Sequence, residues 1–330
     1  MTNTNVRTSS AYILAGATAT GKSGVAQVLA EQMGYAILSA DAMLVYKGMD
    51  IGTAKPTVAE RGTVPYYGMD VVTPAEPFST GCWLAAAARC TETNLIAVGG
   101  TGLYIKALTD GIDGSASNPE ARATWQRVFE QEGLQGLQDA LRQKSPETFA
   151  ALPDPSNPRR LIRALEHLDA SGTLPQHWKN VSTSEPSNFR TSELSNFRTS
   201  PSPIIVLTMP REQLHRRILR RVEQMFASGL VEEVRALREA YPVWSVTAAK
   251  AIGYEEAGAM LDGTLTREQA IERIAIRTRQ LAKRQETWFR HQAHAVWLDI
   301  SEHEPTEDVA RRVLQLWRQH GPTAIRQPLG

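Results

Sequence analysis

The sequence predicts an α/β fold in which helices cover both faces of a parallel sheet. Three observations carry that expectation. Five short apolar runs alternate with helical segments along the 330 residues; the first run opens into a glycine-rich loop and a helix; and a polar helical stretch separates the third run from the fourth. Parallel sheets of this kind bind ligands outside the carboxyl ends of their strands.

The first run, "AYILAG" (11–16), leads into "GATATGKS" (16–23), and a helix follows from Ser23 to about Met33. Gly16, four residues, then Gly21-Lys22-Ser23 is the spacing of a phosphate-binding P-loop, in the strand–loop–helix context that such a loop needs. The core is therefore expected to be P-loop NTPase-like. Gly16, Ala17, Thr18, Ala19, Thr20, Gly21, Lys22 and Ser23 form the predicted phosphate cradle. Loop N–H groups and the helix N-terminus point at an anion, Lys22 adds a full charge, and the Ser23 hydroxyl suits Mg²⁺. The second run, "YAILSAD" (35–41), ends on Asp41, and the third, "NLIAVGG" (94–100), runs into "GGTGLY". Further strands are expected at 203–209 and 294–300.

Residues 115–180 read as a helical insertion. "NPEARATWQRVFEQEGLQGLQDALRQ" keeps a helix period, and "NPRRLIRALEHLDASG" is a short helix stopped by Gly172. "SEPSNFRT" (184–191) recurs with one change at 192–199, which reads as an expanded surface loop within 181–202. The expected plan is a core at 11–114 and 203–320, with the insertion and the loop between. In the helical C-terminal third, "TREQ" (266–269) forms a capping box. The helix it opens should pack through Ile271, Ile274, Leu281 and Trp288. Its basic residues, including Arg273, Arg277, Lys283 and Arg284, have few acidic partners and tilt that surface toward an anion.

A net charge of +1 excludes a globally basic nucleic-acid binder, so any RNA contact must come from local clusters. Cys82 and Cys90 have no metal-ligand pattern and read as buried thiols in a reducing compartment. No run has the length of a membrane span, and a cytoplasmic monomer is expected.

An ATPase needs a carboxylate at a buried strand end for its Mg²⁺. "LIAVGG" ends in glycines, and Asp299 in "WLDI" comes very late. Asp41, one strand after the P-loop, is better placed, either to hold metal or to take a proton.

The motifs "GATATGKS", "DAMLVYKGMDIGTAKP", "GGTGLYIKAL", "RRLIRALE", "AIGYEE" and "TRQLAKRQETWFR" occur in an order that resembles the tRNA dimethylallyltransferases, from about residue 11 to residue 300. The resemblance implies that the P-loop holds the diphosphate of dimethylallyl diphosphate with Mg²⁺, and that ATP is not consumed. The dimethylallyl group would go to the exocyclic N6 amine of adenosine-37, next to the anticodon, in tRNAs reading codons that begin with U. It makes Asp41 the general base, Thr101 a contact to the nucleoside, and Arg217 and Arg221 partners of the diphosphate beside Lys22 and Ser23. Asp41, Ala42, Met43, Leu44 and Thr101 would face the tRNA anticodon stem-loop. So would Arg122, Arg159, Arg160 and Arg163 of the insertion, and Lys283 and Arg284 near the C-terminus.

Two departures stand out. Ala42 and Leu44 replace a serine and a glutamine usual in the family, and "PYY" (65–67) replaces "PHH". Three other readings compete: prenyl transfer to a free nucleotide, a small-molecule kinase, and a nucleotide-binding protein without catalysis. The inserted basic helices favour a macromolecular acceptor over the first. The missing strand-end carboxylate weighs against the second, and the retained Lys22, Ser23 and Asp41 against the third.

Overall fold

The computed structural model describes residues 8–111, 118–152, 154–172 and 202–326. The duplicated "SNFRTS" segment lies outside them. The chain divides into two compact units, residues 1–112 with 199–330, and residues 113–198.

The first unit is built on a sheet of order β3-β2-β4-β1-β5-β6. Its strands are β1 (Thr8–Gly16), β2 (Ala36–Ser39), β3 (Tyr66–Tyr67), β4 (Leu95–Gly99), β5 (Ile204–Thr208) and β6 (Ala295–Asp299). All six pair in parallel, with Leu14 in register with Val98 on one side and Ile205 on the other. β2 and β4 are buried at every position, which is why their sequences read as unbroken apolar runs.

Two strands carry too little apolar sequence to be foreseen. β3 is two tyrosines, and β7 (Thr323–Arg326) pairs antiparallel with the start of β1. That second pairing extends β1 back to Thr8.

The connecting helices are α1 (Lys22–Met33), α2 (Val58–Arg61), α3 (Thr80–Ala87) and α4 (Gly102–Asp110). The second unit holds α5 (Pro119–Lys144), broken at Gly133, with α6 (Pro146–Ala151) and α7 (Pro158–Ser171). Asn118 and Asn157 cap α5 and α7, each followed by a proline at the first helical position, and Gly172 ends α7 in a left-handed conformation. Leu137, Leu141, Leu161 and Leu165 form this unit's own core.

The first unit continues with α8 (Arg211–Ala227), α9 (Leu230–Ala240), α10 (Val246–Ala249), α11 (Tyr254–Leu261), α12 (Arg267–Gln292) and α13 (Thr306–His320). The capping box at Thr266 and Gln269 forms as read. The buried stripe of α12, however, is Ala270, Ile274, Ala275, Ala282 and Phe289. Ile271 and Trp288 are only partly buried against the core. Cys90 is buried, whereas Cys82 is exposed rather than buried, on the first turn of α3. Among the described residues no helix is long and apolar enough to cross a membrane.

Close approach explains the "GGTG" motif. A Cβ on Gly99 would stand 2.0 Å from the Ala40 carbonyl oxygen, and one on Gly102 2.1 Å from the Trp288 ring. At Gly100 it would meet the Gln285 amide at 2.3 Å. β4 therefore runs against the end of β2, and α12 sits on the loop after β4.

The Gly99 contact is to backbone and cannot be relieved by a rotamer change. Gly99→Ala is expected to lower the unfolding free energy by about 3 kcal/mol. Gly24→Ala, whose Cβ would make only an ordinary contact with Thr306, should change it by less than about 0.5 kcal/mol. Urea denaturation of both variants checks the contrast, and a parent-like midpoint for Gly99→Ala would contradict the packing.

Candidate functional site

The P-loop turns sharply where its glycines allow. Gly16 (φ 153°) has no room for a side chain, since a Cβ would lie 2.8 Å from the Leu207 carbonyl oxygen. Gly21 (φ 87°) is the N-cap of α1 and offers no side-chain cap, so the first N–H groups of the helix stay available to a ligand. Between them Ala19 takes a positive φ of 66°. The Thr20 hydroxyl and the Lys22 ammonium both donate to the Ala17 carbonyl, at 2.9 and 3.2 Å. From α12, Gln285 Oε1 accepts the Thr18 N–H at 2.8 Å.

Positive charge gathers over this loop. Arg221 donates to Thr18 Oγ1 at 3.3 Å and to the Thr53 carbonyl at 3.1 Å. Arg217, one turn earlier on α8, has a guanidinium nitrogen 3.1 Å from where a Gly21 Cβ would sit. Both arginines named from the sequence therefore reach the loop. Among the described residues, none of Lys22, Arg217 and Arg221 has a carboxylate within ion-pair distance. Burial lowers the Lys22 pKa to about 8; Asp41 partly offsets that shift, and Arg221 adds to it. Burial also lowers both arginines from their usual value.

Lys22, Ser23, Asp41 and Arg221 line one cavity of about 50 Å³, and among the described residues Asp41 is the only acid that lines it. Asp41 Oδ1 accepts the Met43 N–H at 2.9 Å, a local turn that holds the carboxylate at the end of β2. The Thr101 hydroxyl, at the N-cap of α4, accepts the Ala42 N–H at 3.0 Å and ties the two strand ends together. Ala42 and Met43 pack against the core, whereas Leu44 lines the cavity. Asp299, at the end of the edge strand β6, is not part of the cavity lining.

The segment after Asp41 is held by a buried cation. Lys55 donates to the Tyr46 carbonyl at 2.7 Å and to Asp50 and Asp70, both at 2.6 Å. Glu233 of α9 accepts the Asp50 and Ile51 N–H groups, and the Tyr254 hydroxyl donates to it at 2.5 Å. These bonds fix the Thr53 carbonyl that receives Arg221.

The family model described as IPP transferase matches residues 44–292, more than half of the chain, and one described as isopentenyl transferase matches residues 9–67. The chain belongs to the IPP transferase family. A tRNA dimethylallyltransferase of Pelotomaculum thermopropionicum is 36% identical over 312 residues, covering 91% of this chain and 94% of that protein. One from Thermus thermophilus is 40% identical over 287 residues, covering 85% of this chain and 89% of that protein. The solved full-length tRNA isopentenylpyrophosphate transferase of Bacillus halodurans has a TM-score of 0.60 and 30% identity. It covers 94% of this chain and 97% of its own.

The basic residues that the family resemblance assigns to RNA divide into two sets. Arg159 and Arg160 are exposed on the first turn of α7. Arg163 and Arg122 instead converge on the buried carboxylate of Glu166, at 3.0 and 3.6 Å, so both also have a structural task. Lys283 and Arg284 are exposed on α12. Arg277, read from the sequence as part of an anion-binding surface, instead bonds Glu255, Glu256 and the Lys250 carbonyl.

Sequence reading gave no role to four residues that shape the site. Ser39 ends β2 two positions before Asp41 and lines the same cavity. Tyr66 lines the cavity and donates to Gln27 at 2.6 Å. Gln285 sits inside a quoted motif. Thr53 acts through its carbonyl, for which no side-chain signal exists.

Lys22 generates a pH prediction. A bound dianion favours the charged lysine and raises its pKa. Above about pH 8, pyrophosphate binding should therefore take up close to one proton more in the parent than in Lys22→Met. Calorimetry in buffers of different ionisation enthalpy measures the uptake, and equal values in the two proteins would contradict the assignment. In the free protein, Lys22 makes stability rise as pH climbs from about 8 toward 10.5, because the unfolded chain keeps a proton that the folded one has shed.

Proposed function

We propose that the chain transfers a dimethylallyl group from dimethylallyl diphosphate to the N6 amine of adenosine-37 in tRNAs reading codons that begin with U. The observation that carries this reading is the charge pattern of the cavity. Lys22, Arg217 and Arg221 gather at the P-loop, and Asp41 is the carboxylate that shares the cavity with Lys22 and Arg221. Three cations suit a departing diphosphate, and a single carboxylate suits a proton acceptor. The relatives named for tRNA support the choice of acceptor.

In this mechanism the allylic C–O bond breaks, its electron pair leaves with the diphosphate, and the cation is delocalised over the allyl system. Lys22, the arginines and the first N–H groups of α1 stabilise the oxygen charge as it develops. The amine nitrogen forms the new bond to carbon, and its proton passes to Asp41. Asp41 starts ionised and ends neutral, while the diphosphate carries away the negative charge.

The donor set fits Mg²⁺. Ser23 and Asp41 offer hard oxygen ligands, and among the described residues no cluster of three acidic, histidine or cysteine side chains could form an all-protein cage. Ser23 would hold the ion, which when bound would supply further positive charge to the leaving group. A free nucleotide remains the alternative acceptor. Labelled dimethylallyl diphosphate offered with unmodified tRNA or with AMP tests the choice, and label on AMP alone would reject the tRNA reading.

Asp41→Asn should lower the single-turnover rate by roughly a hundred- to ten-thousand-fold with little change in donor or tRNA affinity. If Asp41 mainly held metal, donor affinity would fall instead and excess Mg²⁺ would partly restore it.

Neutralising Arg159 and Arg160 together should weaken tRNA binding and flatten its salt dependence by about one unit of slope per lost phosphate contact, leaving donor binding unchanged. An unchanged slope with parent affinity would reject this surface as an RNA contact.

A further inference from the structure

Ser39 is the last residue of β2 and only 2% exposed. Its carbonyl accepts the Trp83 indole N–H at 2.9 Å, so its backbone is tied down. Its hydroxyl has no hydrogen-bond partner among the described residues, although it lines the cavity that contains Ser23 and Asp41. A buried hydroxyl without a partner is costly, and neighbours such as Leu38 and Val98 would accept an alanine without complaint. The hydroxyl therefore points to something the site takes up.

Size and donor chemistry narrow what that is. A cavity of about 50 Å³ has room for roughly three to five water-sized groups at ~10–15 Å³ each. Ser23, Asp41 and Ser39 present hard oxygens only. A cation bound with so few protein ligands keeps most of its water, and those polarised waters need fixed acceptors.

We infer that Ser39 is a positioning residue for the diphosphate–Mg²⁺ unit. Its Oγ accepts a hydrogen bond from a water of the hydrated ion, while its own proton is donated toward a diphosphate oxygen. This inference rests on the diphosphate reading of the P-loop cavity. It also gives the end of β2 two functional groups that line one cavity: Asp41 for the acceptor's proton and Ser39 for the hydrated ion.

The test is Ser39→Ala in the full chain, read by pyrophosphate binding across a Mg²⁺ titration. The ligand-free variant should unfold at the parent midpoint or slightly above, since an unsatisfied hydroxyl has been removed. The Mg²⁺ concentration that half-restores pyrophosphate affinity should rise about tenfold, the lower end of what losing an outer-shell partner costs. At saturating Mg²⁺ only a small residual deficit, that of one hydrogen bond to the diphosphate, should remain.

Equal Mg²⁺ midpoints in parent and variant would overturn the role of Ser39 alone. A loss of pyrophosphate affinity independent of Mg²⁺ would also overturn it, because the hydroxyl would then contact only the diphosphate. A parent protein whose pyrophosphate affinity ignores Mg²⁺ would overturn the diphosphate–cation reading and this inference with it.

Discussion

Positive charge without an internal counter-ion is the constraint around which the core of this protein is arranged. Lys22 is buried, Arg217 and Arg221 stand over the same loop, and among the described residues none of the three has a carboxylate within ion-pair distance; Asp41 faces Lys22 and Arg221 across the cavity. Burying a cation unpaired is unfavourable, as the depressed Lys22 pKa records. A folded chain keeps such an arrangement when the rest of its packing holds the groups in place and an anion completes them. The free site is thus pre-organised for a strongly negative ligand, and little rearrangement is needed when one arrives.

What holds the charges in place is mostly neutral and mostly backbone. Gln285 grips the Thr18 N–H, the Thr53 carbonyl receives Arg221, and the Glu233–Tyr254 pair clamps the turn just before Thr53. Lys55 satisfies its own charge with Asp50 and Asp70, so it anchors the segment after Asp41 without adding a free charge to the site. Motifs that look unrelated in sequence converge here. The tyrosine of "AIGYEE" stabilises the turn of "DIGTAKP", and the glutamine of "KRQETWFR" stabilises the P-loop. The glycines of "GGTG" supply the space that α12 needs to bring that glutamine close.

Two of the departures from the family pattern, Leu44 and Tyr66, line the cavity. Leu44 lines it with an apolar side chain, and Ala42 contributes only its backbone N–H, which Thr101 accepts. Tyr66, in the place of a usual histidine, anchors to Gln27 and lines the cavity with a ring whose hydroxyl burial holds at a pKa of about 12. The P-loop residues Gly16 to Ser23 keep the family spacing beside these changes.

The sequence by itself determined the α/β class, the P-loop and the carboxylate one strand later. These are local or periodic features: apolar runs for buried parallel strands, glycines at fixed spacing, caps such as Thr266 and Asn157. It could not assign β7, whose pairing with β1 joins opposite ends of the chain, nor β3, two residues long. It could not tell that Arg277 and Arg163 hold buried glutamates while Arg159 and Arg160 face solvent, since a helix period ranks positions without naming their partners. Nor could it find the role of Gln285 or the unpartnered Ser39 hydroxyl. Those depend on distances between residues far apart in the chain, and only the folded backbone sets such distances.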